Sequence, residues 1–184
     1  MRLILAASAG LVLATAGVAH AEVRNLAGFT KVDANAGTDV QVTVGGAFRV
    51  EVTGRDAARI ITRVQGDTLI VEPVRGFSWR GRQANIRVTM PRVVGLSASS
   101  GADLQVSGTC ASFTADASSG ADIDARQLHC ENGSVDVSSG ADARVFASGR
   151  LDVGASSGGG VVAYGNPGIG NIDLSSGGSL RRAD

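Results

Sequence analysis

Ser-Ser-Gly-Ala-Asp occurs three times in this chain, at Ser99–Asp103, Ser118–Asp122 and Ser138–Asp142. Two looser copies follow, Ser156-Ser157-Gly158-Gly159-Gly160 and Ser175-Ser176-Gly177-Gly178-Ser179. Their shared glycines, Gly101, Gly120, Gly140, Gly158 and Gly177, stand 19, 20, 18 and 19 residues apart. A motif at that interval marks one supersecondary unit stacked upon itself, each unit too small to bury an apolar face alone.

Apolar and polar residues alternate between the motifs. The apolar set is Leu96, Ala98, Ala102, Leu104 and Val106 in the first repeat. The second has Phe113, Ala115, Ala117, Ala121, Ile123 and Ala125, and the third Val135, Val137, Ala141, Ala143 and Val145. Leu151, Val153, Ala155, Val161 and Ala163 make the fourth, and Ile172, Leu174 and Leu180 the fifth. Period-two alternation inside a 19-residue repeat describes strands wound with one face inward. The expected fold is an all-β, single-stranded parallel β-helix (a solenoid) with about 19 residues per coil. A propeller blade needs about 40 residues, which disfavours that alternative. The same parity, carried through the motif, turns its second serine (Ser100, Ser119, Ser139, Ser157, Ser176) inward and makes the motif a corner.

Upstream, residues 29–91 hold alternating runs: Val40, Val42, Val44; Phe48, Val50, Val52; Ile86, Val88, Met90. Asp56 to Arg63 fits either a short helical turn or a strand. Residues 1–21 read as a signal peptide: Arg2, an apolar run from Leu3 to Val18, and Ala19-His20-Ala21 as the cleavage site. Residues 22–184 are expected to form a single β-helix domain, with N-terminal coils over 29–91 and repeat coils over 92–184. The mature product would be periplasmic or extracellular and not membrane-spanning. Its charges nearly balance, which argues against nucleic acid as a partner.

Cys110 and Cys130 lie 20 residues apart, close to one repeat. In-register coils bring them onto neighbouring strands about 4.8 Å apart, within disulfide reach in an oxidising compartment; two thiols pointing apart are the alternative. Asp103, Asp122 and Asp142 fall at equivalent positions and would stack. That column either binds a hard cation such as Ca²⁺ or is a solvated outer corner. Between two strands lies Phe77-Ser78-Trp79-Arg80-Gly81-Arg82, carrying the sole tryptophan beside Arg75, Arg80 and Arg82. Aromatic rings with guanidinium groups suit binding of sugars, peptides or anionic polymers, or the loop packs on the coil wall. His129 is the only histidine after the signal segment, so no catalytic site is expected.

Phe29-Thr30-Lys31-Val32, Val40–Val44, Phe48–Val52, Gly66–Val71 and Ile86–Pro91 precede the repeated corners in a recognisable order. Together they resemble the exported bacterial family described as putative auto-transporter adhesin, head GIN domain, from about residue 29 to 180. The resemblance implies a right-handed β-helix, no recognised catalytic site and a cell-surface or adhesive role. Gly-Ile-Asn itself is absent; Gly168-Ile169-Gly170-Asn171 is the nearest string, so no oligomer contact carries over. No outer-membrane barrel segment follows Arg181-Arg182-Ala183-Asp184, so the chain is not expected to act as an autotransporter alone. The expected function is a non-enzymatic envelope or surface module that contacts a glycan or protein. Alternatives are a polysaccharide-active enzyme on a pectin-lyase-like scaffold and a homo-oligomer assembled through open coil ends.

Overall fold

Each copy of the repeated pentapeptide folds as a tight corner joining two strands. The computed structural model describes residues 21–76 and 84–183. In it the Ser-Gly pairs at 100–101, 119–120, 139–140, 157–158 and 176–177 all have positive φ, between 48° and 82°. The residue after each pair donates its backbone N–H to the carbonyl before the pair, as from Ala121 to Ser118 at 3.2 Å. Two successive left-handed residues make the primed type of turn, and glycine at the second removes the side-chain penalty.

This geometry corrects the expected direction of the second serine. Ser100, Ser119, Ser139, Ser157 and Ser176 are exposed, because the left-handed pair interrupts strand alternation. Inward pointing resumes at Ala102, Ala121 and Ala141, all buried. In four of the five corners the first serine is half-buried, and Ser99 Oγ donates to Asn35 Oδ1 at 2.6 Å. Asn35-Ala36-Gly37-Thr38-Asp39 is a sixth corner of the same build, with φ of 53° and 70° at Ala36 and Gly37.

The strands are β1 (Glu22–Arg24), β2 (Lys31–Asn35), β3 (Asp39–Val44), β4 (Arg49–Thr53), β5 (Ile60–Gln65), β6 (Thr68–Pro73), β7 (Asn85–Met90) and β8 (Gly95–Ser99). They continue as β9 (Asp103–Ser118), β10 (Asp122–Val137), β11 (Asp142–Ala147), β12 (Arg150–Ala155), β13 (Gly160–Tyr164), β14 (Gly168–Leu174) and β15 (Ser179–Arg182). All join one curled all-β sheet. A 3-10 turn at Ala57–Arg59 runs straight into β5, so both readings of Asp56–Arg63 hold in succession. No helix among the described residues is long and apolar enough to cross a membrane.

Pairing between repeats is parallel and keeps like residues together. On one side of the corners, Asp39, Asp103, Asp122, Asp142, Gly160 and Ser179 are successive partners across β3, β9, β10, β11, β13 and β15. On the other, Ala34, Ala98, Ala117, Val137, Ala155 and Leu174 form a file across β2, β8, β9, β10, β12 and β14. Corners also bond to one another: Gly101, Gly120, Gly140 and Gly158 each donate to the second serine of the next corner at 3.1 Å. The core between the files is narrow and filled largely by Ala and Val.

Spatial order departs from chain order at the N-terminal end. β2 lies between β6 and β8, and β3 between β7 and β9, so β6–β7 stack outside β2–β3. Antiparallel β5 then covers β6, β4 covers β7, and β1 covers β4. This shields backbone edges that would otherwise pair with another chain. At the far end, β14 and β15 each have a partner on one side only among the described residues. Ile172 and Leu174 are therefore 53% and 43% exposed, and Leu180 is only partly covered. The fifth repeat keeps the expected file, Ile172 paired with Val153 and Leu174 with Ala155, but is not buried there because nothing described lies over it.

Candidate functional site

Parallel register turns each outward strand position into a file down the wall. Two residues beyond the corner aspartates stand Gln41, Gln105, Asp124 and Arg144; two further on, Thr43 faces Ser107, which faces Gln127. Tyr164 on β13 is the register partner of Phe146. This wall of β3, β9, β10 and β13 carries an open groove of about 610 Å³. Its polar lining comes from the three glutamines Gln41, Gln105 and Gln127, with Thr43, Ser107, Asp124, Arg126 and Tyr164. Adjoining depressions of about 320 and 140 Å³ share Gln41 with it and extend the trough toward Arg144 and toward β4 and β7.

A β-bulge shapes the groove. Arg126 and Gln127 are both exposed between buried Ala125 and Leu128, and the register between β10 and β9 slips between Asp124 and Gln127. The inserted residue accounts for the 20-residue step between Gly120 and Gly140. It throws Arg126 forward, where Nε donates to Asp124 Oδ1 at 2.9 Å and the guanidinium stands 6.0 Å from the Tyr164 ring centroid. Hydrogen bonding from Arg126, opposed by partial burial, holds the Asp124 carboxyl below its ordinary value. Next to Tyr164, Phe146 packs its ring on that of the exposed His129, centroids 4.3 Å apart. Gly165, at φ +84°, leaves room for that phenyl ring; a Cβ there would sit 2.8 Å from it.

The aspartate column runs beside the groove and gains a fourth member, Asp39, from the sixth corner. Burial pushes Asp103 up to about 6, helped by a hydrogen bond to Asp39 and by the charges of Asp39 and Asp122. Asp122 lies 3.8 Å from Arg144. The Arg144 guanidinium thus offsets repulsion at Asp122 within the column. Among the described residues no group of three or more His, Cys, Asp or Glu is arranged to hold a metal ion.

Cys110 and Cys130 are register partners on β9 and β10 and form a disulfide, Cα to Cα 4.6 Å. Phe77, Trp79, Arg80 and Arg82 lie outside the described residues, as do residues 1–20 of the signal segment; Arg75 is exposed at the border of the former. Reasoning on composition singled out that aromatic segment and missed the groove. Outward parity counted from each corner, together with the one long repeat step, is the signal that finds Gln41, Gln105, Arg126 and Gln127.

The family model for putative auto-transporter adhesin, head GIN domain, matches residues 28–106 and again 92–167. The chain belongs to this family. Two overlapping matches to one family model fit a chain whose rungs repeat in register. A putative adhesin from Bacteroides fragilis NCTC 9343 has a similar structure, with a TM-score of 0.51 at 16% identity over 89% of this chain and 96% of that one. A putative adhesin from Parabacteroides distasonis ATCC 8503 covers 91% of this chain and 98% of its own, at 12% identity and a TM-score of 0.41. A putative lipid binding protein from the same organism gives 13% identity and a TM-score of 0.42, covering 92% of this chain and 98% of that one. Among curated proteins no sequence matches this chain.

Proposed function

We propose that this chain is an exported, non-enzymatic contact module of the bacterial envelope or cell surface, built as a right-handed parallel β-helix. The observation that carries the reading is the in-register wall: tight corners at every rung hold equivalent outward side chains in files across β3, β9, β10, β11 and β13. Such a wall is rigid, so binding to it costs little ordering of the module itself. Membership of an adhesin family supports the surface role. A signal peptide over residues 1–21 would deliver the chain, and residues 22–184 would act as one domain. The disulfide suits an oxidising compartment.

Packing of His129 against Phe146 supports a structural place for the only histidine after the signal segment. The Phe77–Arg82 segment, with Arg75, is a second proposed contact region, set off from the groove in sequence. Fluorescently labelled chain added to intact cells and isolated envelopes should bind saturably, and polysaccharide panels should remain uncleaved. Cleavage abolished by substituting one specific Asp or Glu would overturn the non-enzymatic reading, and absence of saturable binding would overturn the contact role.

A further inference from the structure

The trough on the β3–β9–β10–β13 wall has a lining that selects for one ligand chemistry. Over most of this wall the backbone N–H and C=O groups are consumed by parallel ladders, which break only beside the bulge at Arg126, so recognition falls mainly to side chains. Gln41, Gln105 and Gln127 each present an amide that both donates and accepts, the pairing that hydroxyl groups require. Charge is balanced locally, since Arg126 is engaged by Asp124. The adjoining depressions set Asp39, Asp103, Asp122 and Glu51 among Arg49, Arg87 and Arg144, with Arg144 3.8 Å from Asp122 and Arg49 3.5 Å from Glu51, so an anionic polymer meets carboxyls there as well as guanidinium groups. Tyr164, the only tyrosine in the chain, adds an aromatic surface on the outer face, where a ring buries no core.

The trough's extent points the same way. It reaches from β7 across β3, β9, β10 and β11 to β13, about 24 Å at strand spacing. That length suits an extended polymer better than a single small molecule. We propose that this trough binds a neutral oligosaccharide laid across the strands, with Tyr164 as its apolar platform and Gln41, Gln105 and Gln127 as partners for its hydroxyls. The bulge at Arg126–Gln127 opens the wall for it. This inference rests on the surface-contact reading and names the ligand class at that surface.

The test titrates the purified chain calorimetrically with cello-, xylo-, manno- and chito-hexaose, and with hexagalacturonate as the anionic comparator. At least one neutral hexaose should bind, more tightly than hexagalacturonate. Tyr164→Ala and Gln105→Ala should each weaken that binding by about tenfold or more while the thermal midpoint stays unchanged. Gln65→Ala, at an exposed glutamine on β5 outside the trough lining, should leave it intact. Binding of no neutral hexaose, or tighter binding of hexagalacturonate, overturns the ligand class. Neutral binding that persists in both groove variants, or is lost in Gln65→Ala, overturns the location. In each of these cases, saturable binding to cells would keep the contact role standing.

Discussion

Asp39 and Asp103 are register partners across β3 and β9 and both line the edge of the trough. Burial first, then hydrogen bonding and charge from Asp39 and the charge of Asp122, raise Asp103 from 3.8 to about 6. Between those values the folded chain holds a proton the unfolded chain has released. This contribution is therefore complete below the unfolded value and disappears as pH rises through about 6. Asp67, Asp124 and Asp152 act in the opposite sense, lowered chiefly by hydrogen bonds from Lys31, Arg126 and Arg150. A single pH-stability curve would mix the two, so the informative quantity is a difference. Asp103→Asn should raise the thermal midpoint relative to wild type at pH 7.5, and the gain should shrink toward zero by pH 4. Solvent screening at this half-open site keeps the gain small, about 1 kcal/mol or less. An equal gain at both pH values would contradict the raised value of Asp103.

Cys110 and Cys130 close a loop with a sequence separation of 20 residues. A cross-link of that length stabilises by about 3 kcal/mol, mainly by restricting the unfolded chain. Replacing both residues with alanine should lower the thermal midpoint by about 6–12 °C under oxidising conditions. Adding reductant should bring wild type down to the variant and leave the variant unchanged. Neighbouring-strand pairing on β9 and β10 should survive, so the circular dichroism spectrum at 20 °C should not change.

The corners separate backbone conformation from packing. A Cβ on Gly120 meets nothing within 4 Å, yet φ is +69°. Gly120→Ala should therefore destabilise by about 1–2 kcal/mol through conformation alone. Ser119 already occupies the left-handed region at φ 54°. Asparagine tolerates that region better than serine, so Ser119→Asn should stabilise by a few tenths of a kcal/mol. Chemical denaturation of the pair measures both signs, and a stabilising alanine at 120 would contradict the turn geometry.

Period and parity are local properties, which is why the corners, the inward residues of the first four repeats and the Cys110–Cys130 pairing were legible in the sequence. The second serine was misread because strand parity was carried through two residues that are not strand. Asn35–Asp39 escaped notice because a corner needs only a compliant backbone; Ala36 and Gly37 meet that need without the repeated letters. The nesting of β2–β3 inside β6–β7 depends on which edges find antiparallel cover, a long-range outcome no local pattern encodes. The groove was harder still. Gln41, Gln105 and Tyr164 are outward residues on three different rungs, and only the register makes them neighbours.

Val153 and Ile172 occupy the same inward file, paired across β12 and β14, yet Val153 is 3% exposed and Ile172 53%. The same substitution should therefore have unequal consequences. Val153→Thr buries a hydroxyl in an apolar file and removes a methyl from the core, costing about 2 kcal/mol or more and 4–8 °C in thermal midpoint. Ile172→Thr keeps its hydroxyl in reach of water and should cost less than about 1 kcal/mol. Thermal melts of both variants at one protein concentration make the comparison. Equal losses would mean that β14 is covered in solution, and a concentration dependence of the wild-type midpoint would then identify a second copy of the chain as the cover.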